Sequence, residues 1–234
     1  MVRLFQQFPE MVALISEKKD GSMRISSFNA EETAKNREKF FIEQGIDPEK
    51  VFAALLVHGT KVKVIMSKEP RVLPATDALV STEKGLFLTI TGADCFPVFF
   101  YDPTKAAIGV AHAGWRGTVA GIAKEVINKI ERMGNDVKDI HVAIGPGICT
   151  KHFDIKPENE QLFAQWPFAI GKENGKVCID LQSVLKHQLL EAGIQENNIE
   201  TTTLCTFCDS EKFFSYRRDK PQDVEAMVAV IGIQ

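Results

Sequence analysis

Long apolar runs are missing from this chain of 234 residues. None approaches the ~20 residues that a membrane-spanning helix needs, so no helical span is expected. A secretion signal is missing too. Pro9 and Glu10 interrupt the apolar part of the N-terminal stretch MVRLFQQFPEMVALISEKKD, and no small-residue cleavage site follows. The expected location is therefore the cytoplasm. Charge of one sign is not in excess: the formal net charge of −3 leaves no electrostatic footprint for nucleic acid or an anionic membrane. Cysteine is sparse and odd in number, with five scattered residues, which argues against a disulfide framework. Internal repeats, low-complexity tracts and Pro/Ser linkers are absent. Residues 1–234 therefore read as one continuous domain.

What is present is an ordinary globular composition, 44% hydrophobic and 25% charged, on a chain long enough to bury a sizeable core. The segment MRISSF from Met23 reads as a strand, and Glu31 to Gln44 as a helix stopped by Gly45. Val51 to Val57 and Lys61 to Met66 are β-rich runs around the turn His58-Gly59-Thr60. Ala78 to Ser81, Leu86 to Thr91, Pro97 to Tyr101 and Ala106 to Ala111 are further strands. Val119, Ile122, Ala123, Val126, Ile130 and Met133 recur at helical spacing and predict one helix after Gly117, closed by Gly134. His141 to Ile144 is a strand. Leu181 to Ala192 is a helix with Asp180 as N-cap, and Met227 to Ile233 a final strand. Many short strands on few helices predict an α/β fold: a mixed-sheet sandwich with helices outside.

Polar residues gather at strand ends between Thr89 and Thr118. Asp94-Cys95 follows one strand, His112 ends another, and His58 ends a third. Cysteine and histidine are zinc donors, and a catalytic zinc takes three protein ligands and leaves one position open. Each residue taken alone also reads as a core thiol or a satisfied histidine. Gly114-Trp115-Arg116-Gly117 precedes a helix, where free N–H groups beside an arginine suit an anion; a tight turn with a solvated Arg116 and a packed Trp115 reads equally well. Phe213 to Asp219 sets Arg217 and Arg218 beside aromatics, either as a phosphate- or base-binding cluster or as a strand with a charged end. Cys205-Thr206-Phe207-Cys208 is a C-x-x-C pair. A structural zinc would need a second ligand pair nearby in sequence, and none has that spacing. Cys205 and Cys208 therefore read as core or pocket-wall thiols, as do Cys149 and Cys178. His141, His152 and His187 get the same default.

The stretches VHGTKV from Val57, TDALVS from Thr76, TGADCFPVFFYD from Thr91, GVAHAGWRGT from Gly109, AIGPGIC from Ala143 and CTFC…FFSYRRD from Cys205 occur in order along most of the chain. Together they resemble the YfiH family, also called the multicopper polyphenol oxidase or laccase-domain family. The resemblance implies a compact α/β sandwich similar to the catalytic domain of cytotoxic necrotizing factor toxins. It also implies zinc held by His58, Cys95 and His112, with Cu²⁺ able to enter the same site. Relatives carry a longer N-terminal loop before the Asn36-Arg37 pair, C-C-Y-E-V where this chain has CTKHFDI, and T-G-R where it has KPQDVEA.

The activity that the resemblance implies is zinc-dependent purine nucleoside phosphorolysis. Adenosine, inosine, guanosine or methylthioadenosine would give free base and sugar 1-phosphate, with adenosine deamination beside it. Asp94, beside Cys95, and Asp77 are then candidate catalytic acids. Asp77, Arg37, Gly114, Trp115, Arg116, Ser215 and Arg217 are candidate substrate contacts. Three rivals are weighed against this reading. A four-copper laccase needs many histidines, and this chain has five and no H-x-H pair. A metal-free Cys95–His112 hydrolase acting on cell-wall peptide precursors would survive a chelator. A non-catalytic binding module would close its zinc with a fourth protein ligand. The sequence leaves monomer and homodimer both open.

Overall fold

A computed structural model describes residues 1–25, 29–220 and 222–234. In chain order its first half runs β1 (Val2–Arg3), β2 (Met11–Ile15), α1 (Ala30–Glu43), β3 (Val51–Ala54), β4 (Val62–Val64), β5 (Val72–Leu73), β6 (Ala78–Ser81), β7 (Phe87–Gly92), β8 (Phe96–Asp102) and β9 (Ala107–Ala113). The second half runs α2 (Trp115–Val119), α3 (Ile122–Arg132), β10 (His141–Ile144), β11 (Asp154–Ile155), β12 (Ile170–Glu173), β13 (Lys176–Ile179), α4 (Leu181–Glu191), β14 (Ile199–Thr201), α5 (Tyr216–Asp219) and β15 (Met227–Ile233).

Two six-stranded mixed sheets form the centre. One has the order β1-β2-β15-β7-β3-β5, the other β14-β10-β8-β9-β6-β4. A small antiparallel sheet, β11-β13-β12, lies beyond them. Strands β8, β9 and β15 are buried at every position because both of their faces are covered. Along β8, Phe99 and Tyr101 enter the core between the two large sheets, while Phe96, Val98 and Phe100 enter the core under the helices. In β15, Ala229 and Ile231 face the inter-sheet core, and Val228 and Val230 face α1 with Phe40 and Phe41. The layers therefore run helix, sheet, sheet, helix, each following from the period-2 alternation of a strand.

Helix α3 buries Ile122, Ala123, Val126, Ile127 and Ile130 on one stripe against the second sheet. Each large aliphatic side chain so buried contributes about 1.5–3 kcal/mol. Gly109 on β9 lets this helix come close, since a Cβ there would lie 3.2 Å from Val80 and 3.3 Å from Val126.

Several expectations are corrected. The single helix expected after Gly117 is two: α2 starts earlier, at Trp115, and ends at Val119, and Gly121, whose φ of 83° lies in the left-handed region, resets the chain for α3. Ser215 caps a short helix, α5, by accepting the Arg218 amide at 3.1 Å, so the Phe213–Asp219 segment is not a strand. The β-rich run from Val51 stops at Ala54, which puts His58 on a loop rather than at a strand end. Met23 to Ile25 is not a strand, and the rest of that expected strand lies outside the described residues. No described helix is long and apolar enough to cross a membrane.

Candidate metal centre and its cavity

Cys95 lies in the turn between β7 and β8, and His112 is the penultimate residue of β9. In β9 the even-numbered side chains face the inter-sheet core, and His112 continues that row at its open end. His58 comes from the β3–β4 loop. Its φ of 60° is a conformation that L-residues rarely adopt, so something must hold it. That something is Asp77. Its wholly buried carboxylate accepts the amides of Val57 at 3.1 Å, His58 at 2.7 Å and Gly59 at 2.9 Å. The Asp77 carbonyl also accepts the His112 amide at 2.8 Å.

The ligand atoms of His58, Cys95 and His112 all lie within 4.8 Å of one another. The two imidazole rings stand edge to face with centroids 4.8 Å apart. Burial would push the Cys95 thiol up, but its contacts with His112 and His58 outweigh this and hold it at about 6. Burial would lower His112, yet Cys95 and Asp77 raise it to about 9. Among the described residues His112 Nδ1 is buried with no hydrogen-bond partner, the nearest carboxylate oxygen being Asp77 Oδ1 at 3.6 Å. Gly114 leaves the space beside the trio open: a Cβ there would lie 3.0 Å from Cys95 Sγ, 3.1 Å from His58 and 3.5 Å from His112. A thiol poised to ionise, two imidazoles and a side-chain-free cradle fit a zinc-class cation.

The trio lines a cavity of about 660 Å³ together with Asp94, Trp115, Arg116, Phe153, Tyr216 and Arg217, among others. That volume falls in the range of small-molecule sites. Arg116 is exposed, stacks over the Trp115 ring at 4.4 Å, and has no acidic partner among the described residues. Arg217 is committed elsewhere. Its guanidinium holds Asp154 Oδ1 at 2.6 Å and the carbonyls of His152 and Asp154 at 3.2 and 3.0 Å. Asp94 is also committed, accepting the Thr206 hydroxyl and the Arg217 amide, each at 2.7 Å. Both residues therefore build the cavity wall.

Four residues read from the sequence as substrate contacts are not among those lining the cavity: Gly114, beside the trio, and Asp77, Arg37 and Ser215. Asp77 is enclosed behind the histidines, where its oxygens are used on backbone amides. Arg37 donates to the Met23 carbonyl at 3.0 Å and to Thr89 Oγ1 at 3.2 Å, which ties α1 to the first sheet. Ser215 is buried as the α5 cap. The sequence reading also missed a grouping. Cys149, His152 and Cys208 bring their ligand atoms within 4.8 Å of one another, although Cys208 lies far from the other two along the chain.

Residues 25–234 match the family described as multi-copper polyphenol oxidoreductase laccase. The chain belongs to this family. Relatives in it carry other activity names. The chain is 33% identical to purine nucleoside phosphorylase YlmD of Bacillus subtilis over 168 residues, which cover 69% of this chain and 60% of that protein. It is 31% identical to adenosine deaminase RL5, from an unknown prokaryotic organism, over 76% of this chain and 73% of that one. Its match to mouse purine nucleoside phosphorylase LACC1 is 34% identical over 83% of this chain but 49% of the mouse protein, so the chain spans about half the length of that relative. Among solved structures, YfiH of Bacillus licheniformis superposes with a TM-score of 0.91 at 28% identity, covering 99% of this chain and 96% of that one. YlmD of Geobacillus stearothermophilus superposes at 0.90 with 26% identity, covering 98% and 94%. The mixed α/β sandwich is thus the family's fold.

Proposed function

We propose that the whole chain, residues 1–234, is one catalytic domain that splits purine nucleosides with inorganic phosphate and also deaminates adenosine. The substrates are adenosine, inosine, guanosine and methylthioadenosine. The observation that carries the reading is the convergence of His58, Cys95 and His112 on one wall of a nucleoside-sized cavity that also holds the unpaired Arg116. The names of the bacterial and mouse relatives support it.

His58, Cys95 and His112 would hold zinc, which supplies Lewis acidity at the cavity wall when bound. Everything else is work for side chains. Asp77 fixes the His58 loop and faces His112, so that both imidazoles present their edges to the cavity. Arg116, at the start of α2, supplies positive charge for the phosphate and for the charge that develops on the leaving base. The ring of Trp115 offers a flat apolar face to a purine. Asp94 keeps Arg217 and Thr206 in place rather than shuttling protons, because both of its oxygens already accept hydrogen bonds.

Chromatography of zinc-loaded protein incubated with adenosine, with and without phosphate, tests the reading. Adenine should appear only with phosphate, inosine should appear without it, and both should vanish in His112→Ala. Activity that survives a chelator but dies with a thiol alkylator would instead make Cys95 a nucleophile. A folded, zinc-loaded protein that yields neither product sinks the assignment.

A further inference from the structure

The C-x-x-C pair has its counterpart after all. Cys149 is the N-cap of a single 3-10 turn, Thr150–His152, and the His152 amide bonds back to the Cys149 carbonyl at 3.0 Å. Three-residue spacing on such a turn puts the two side chains on one face. Cys205 and Cys208 have the same spacing on a turn closed by the Asp209 amide on the Cys205 carbonyl at 2.9 Å. The two turns are laced together. Gly147 and Cys205 form a parallel bridge, the Thr206 amide reaches the Gly147 carbonyl at 3.1 Å, and the Cys149 amide donates to Cys205 Sγ at 3.2 Å.

The result is two ligand pairs face to face, Cys149-x-x-His152 and Cys205-x-x-Cys208. The ligand atoms of Cys149, His152 and Cys208 lie within 4.8 Å of one another, and Cys205 Sγ lies beside them, accepting the Cys149 amide. Cys149 Sγ and Cys208 Sγ are 3.9 Å apart. A disulfide would need about 2.05 Å. Two thiolates bound about 2.3 Å from a tetrahedral zinc stand about 3.8 Å apart, which is close to the separation found.

We infer that Cys149, His152 and Cys208 form a second metal site that takes a zinc-class cation, with Cys205, beside them, turning in as the fourth ligand when the cation binds. Three sulfurs and one imidazole match the closed donor sets of structural zinc. With Cys205 bound, the site has no open position for a substrate. Its effect is mechanical. His152 gives its carbonyl to Arg217, the Arg217 amide holds Asp94, and Asp94 precedes Cys95. A cation bridging the two turns would brace the cavity wall opposite His58. The site stands apart from the nucleoside reading, because its readout is metal content rather than turnover.

The test is zinc per chain, measured by mass spectrometry on full-length protein purified with reductant and zinc, together with spectra of the cobalt-substituted form. The wild type should carry two equivalents. Cys149→Ser/Cys208→Ser should carry one, and so should His112→Ala. Cobalt-loaded His112→Ala should keep strong thiolate-to-cobalt absorption. A double cysteine variant that keeps as many equivalents as the wild type overturns the site. So does an intact mass short by two hydrogens in place of the second metal. Should the double variant fail to fold, His112→Ala decides alone: one remaining equivalent supports the site and none refutes it.

Discussion

Asp77 and His112 face each other at 3.6 Å inside the protein, the carboxylate wholly buried and the imidazole nearly so. The same carboxylate holds the backbone of the other histidine loop, so one acidic residue sets two of the three candidate ligands. Asp77→Asn keeps the shape but removes the charge and one acceptor. Metal affinity should fall about 10- to 100-fold, as for other outer-shell partners of ligating histidines. Competition with a chromophoric chelator measures it, and an unchanged affinity would show that the contact is idle.

Gly114→Ala places a methyl group 3.0 Å from Cys95 Sγ and 3.1 Å from His58. Overpacking of this kind costs about 1–3 kcal/mol. It should appear as a lower melting temperature of the metal-free chain and, beyond that, as weaker metal binding. Comparing metal titration with thermal melts of the stripped protein separates the two effects.

Two arginines on the cavity wall should behave oppositely. Arg116→Ala removes an exposed, unpaired cation, so KM for phosphate should rise roughly tenfold or more, with a melting temperature close to wild type. Arg217→Ala breaks the link to Asp154 and two carbonyls, so it should lower the melting temperature first. Phosphate kinetics beside thermal melts of both variants check this. A thermally silent Arg217→Ala would contradict its structural role.

The Tyr101 hydroxyl donates to Glu10 Oε1 at 2.6 Å, between the second sheet and the loop before β2. That hydrogen bond holds the Glu10 carboxyl below its ordinary range. Burial, with Glu10 adding to it, pushes the Tyr101 phenol above its usual value. The signs follow. The Glu10 contribution to stability is complete above the ordinary carboxylate range and is lost as pH falls through the lowered folded value. The Tyr101 contribution is complete below the ordinary phenol range and is lost as pH rises beyond it. Thermal melts across pH should therefore show a flatter profile at both ends for Tyr101→Phe than for wild type. Parallel profiles would show that the pair does not titrate with folding.

The strands were the most legible part of the sequence. Ala78–Ser81, His141–Ile144 and Met227–Ile233 follow directly from short apolar runs bounded by turn residues. Helix α3 was legible from its stripe, but the break at Gly121 was not, because an apolar period continues across a left-handed residue unchanged. His58, Cys95 and His112 taken singly read as satisfied histidines and a core thiol, and it was the resemblance carried by VHGTKV, TGADCFPVFFYD and GVAHAGWRGT that set them together. Arg37, Asp77 and Ser215 were assigned to the substrate because the sequence shows that a side chain is polar but not that neighbouring groups of the fold already occupy it. The Cys149-His152 pair stayed hidden for another reason. Its partner lies more than fifty residues away, and only the bridge at Gly147 and Cys205 joins them.

The strained backbone at His58 bears on which cation the centre takes. Amide bonds to Asp77, not the cation, hold that residue in its unfavourable conformation. The fold itself thus supplies part of the ordering of the seat, through Asp77. A seat of one thiolate and two imidazoles accepts zinc and copper alike, and copper has the higher intrinsic affinity. Occupancy then follows supply. Protein grown in zinc-rich and copper-rich media should differ in its metal and its spectrum, and show the same far-ultraviolet circular dichroism.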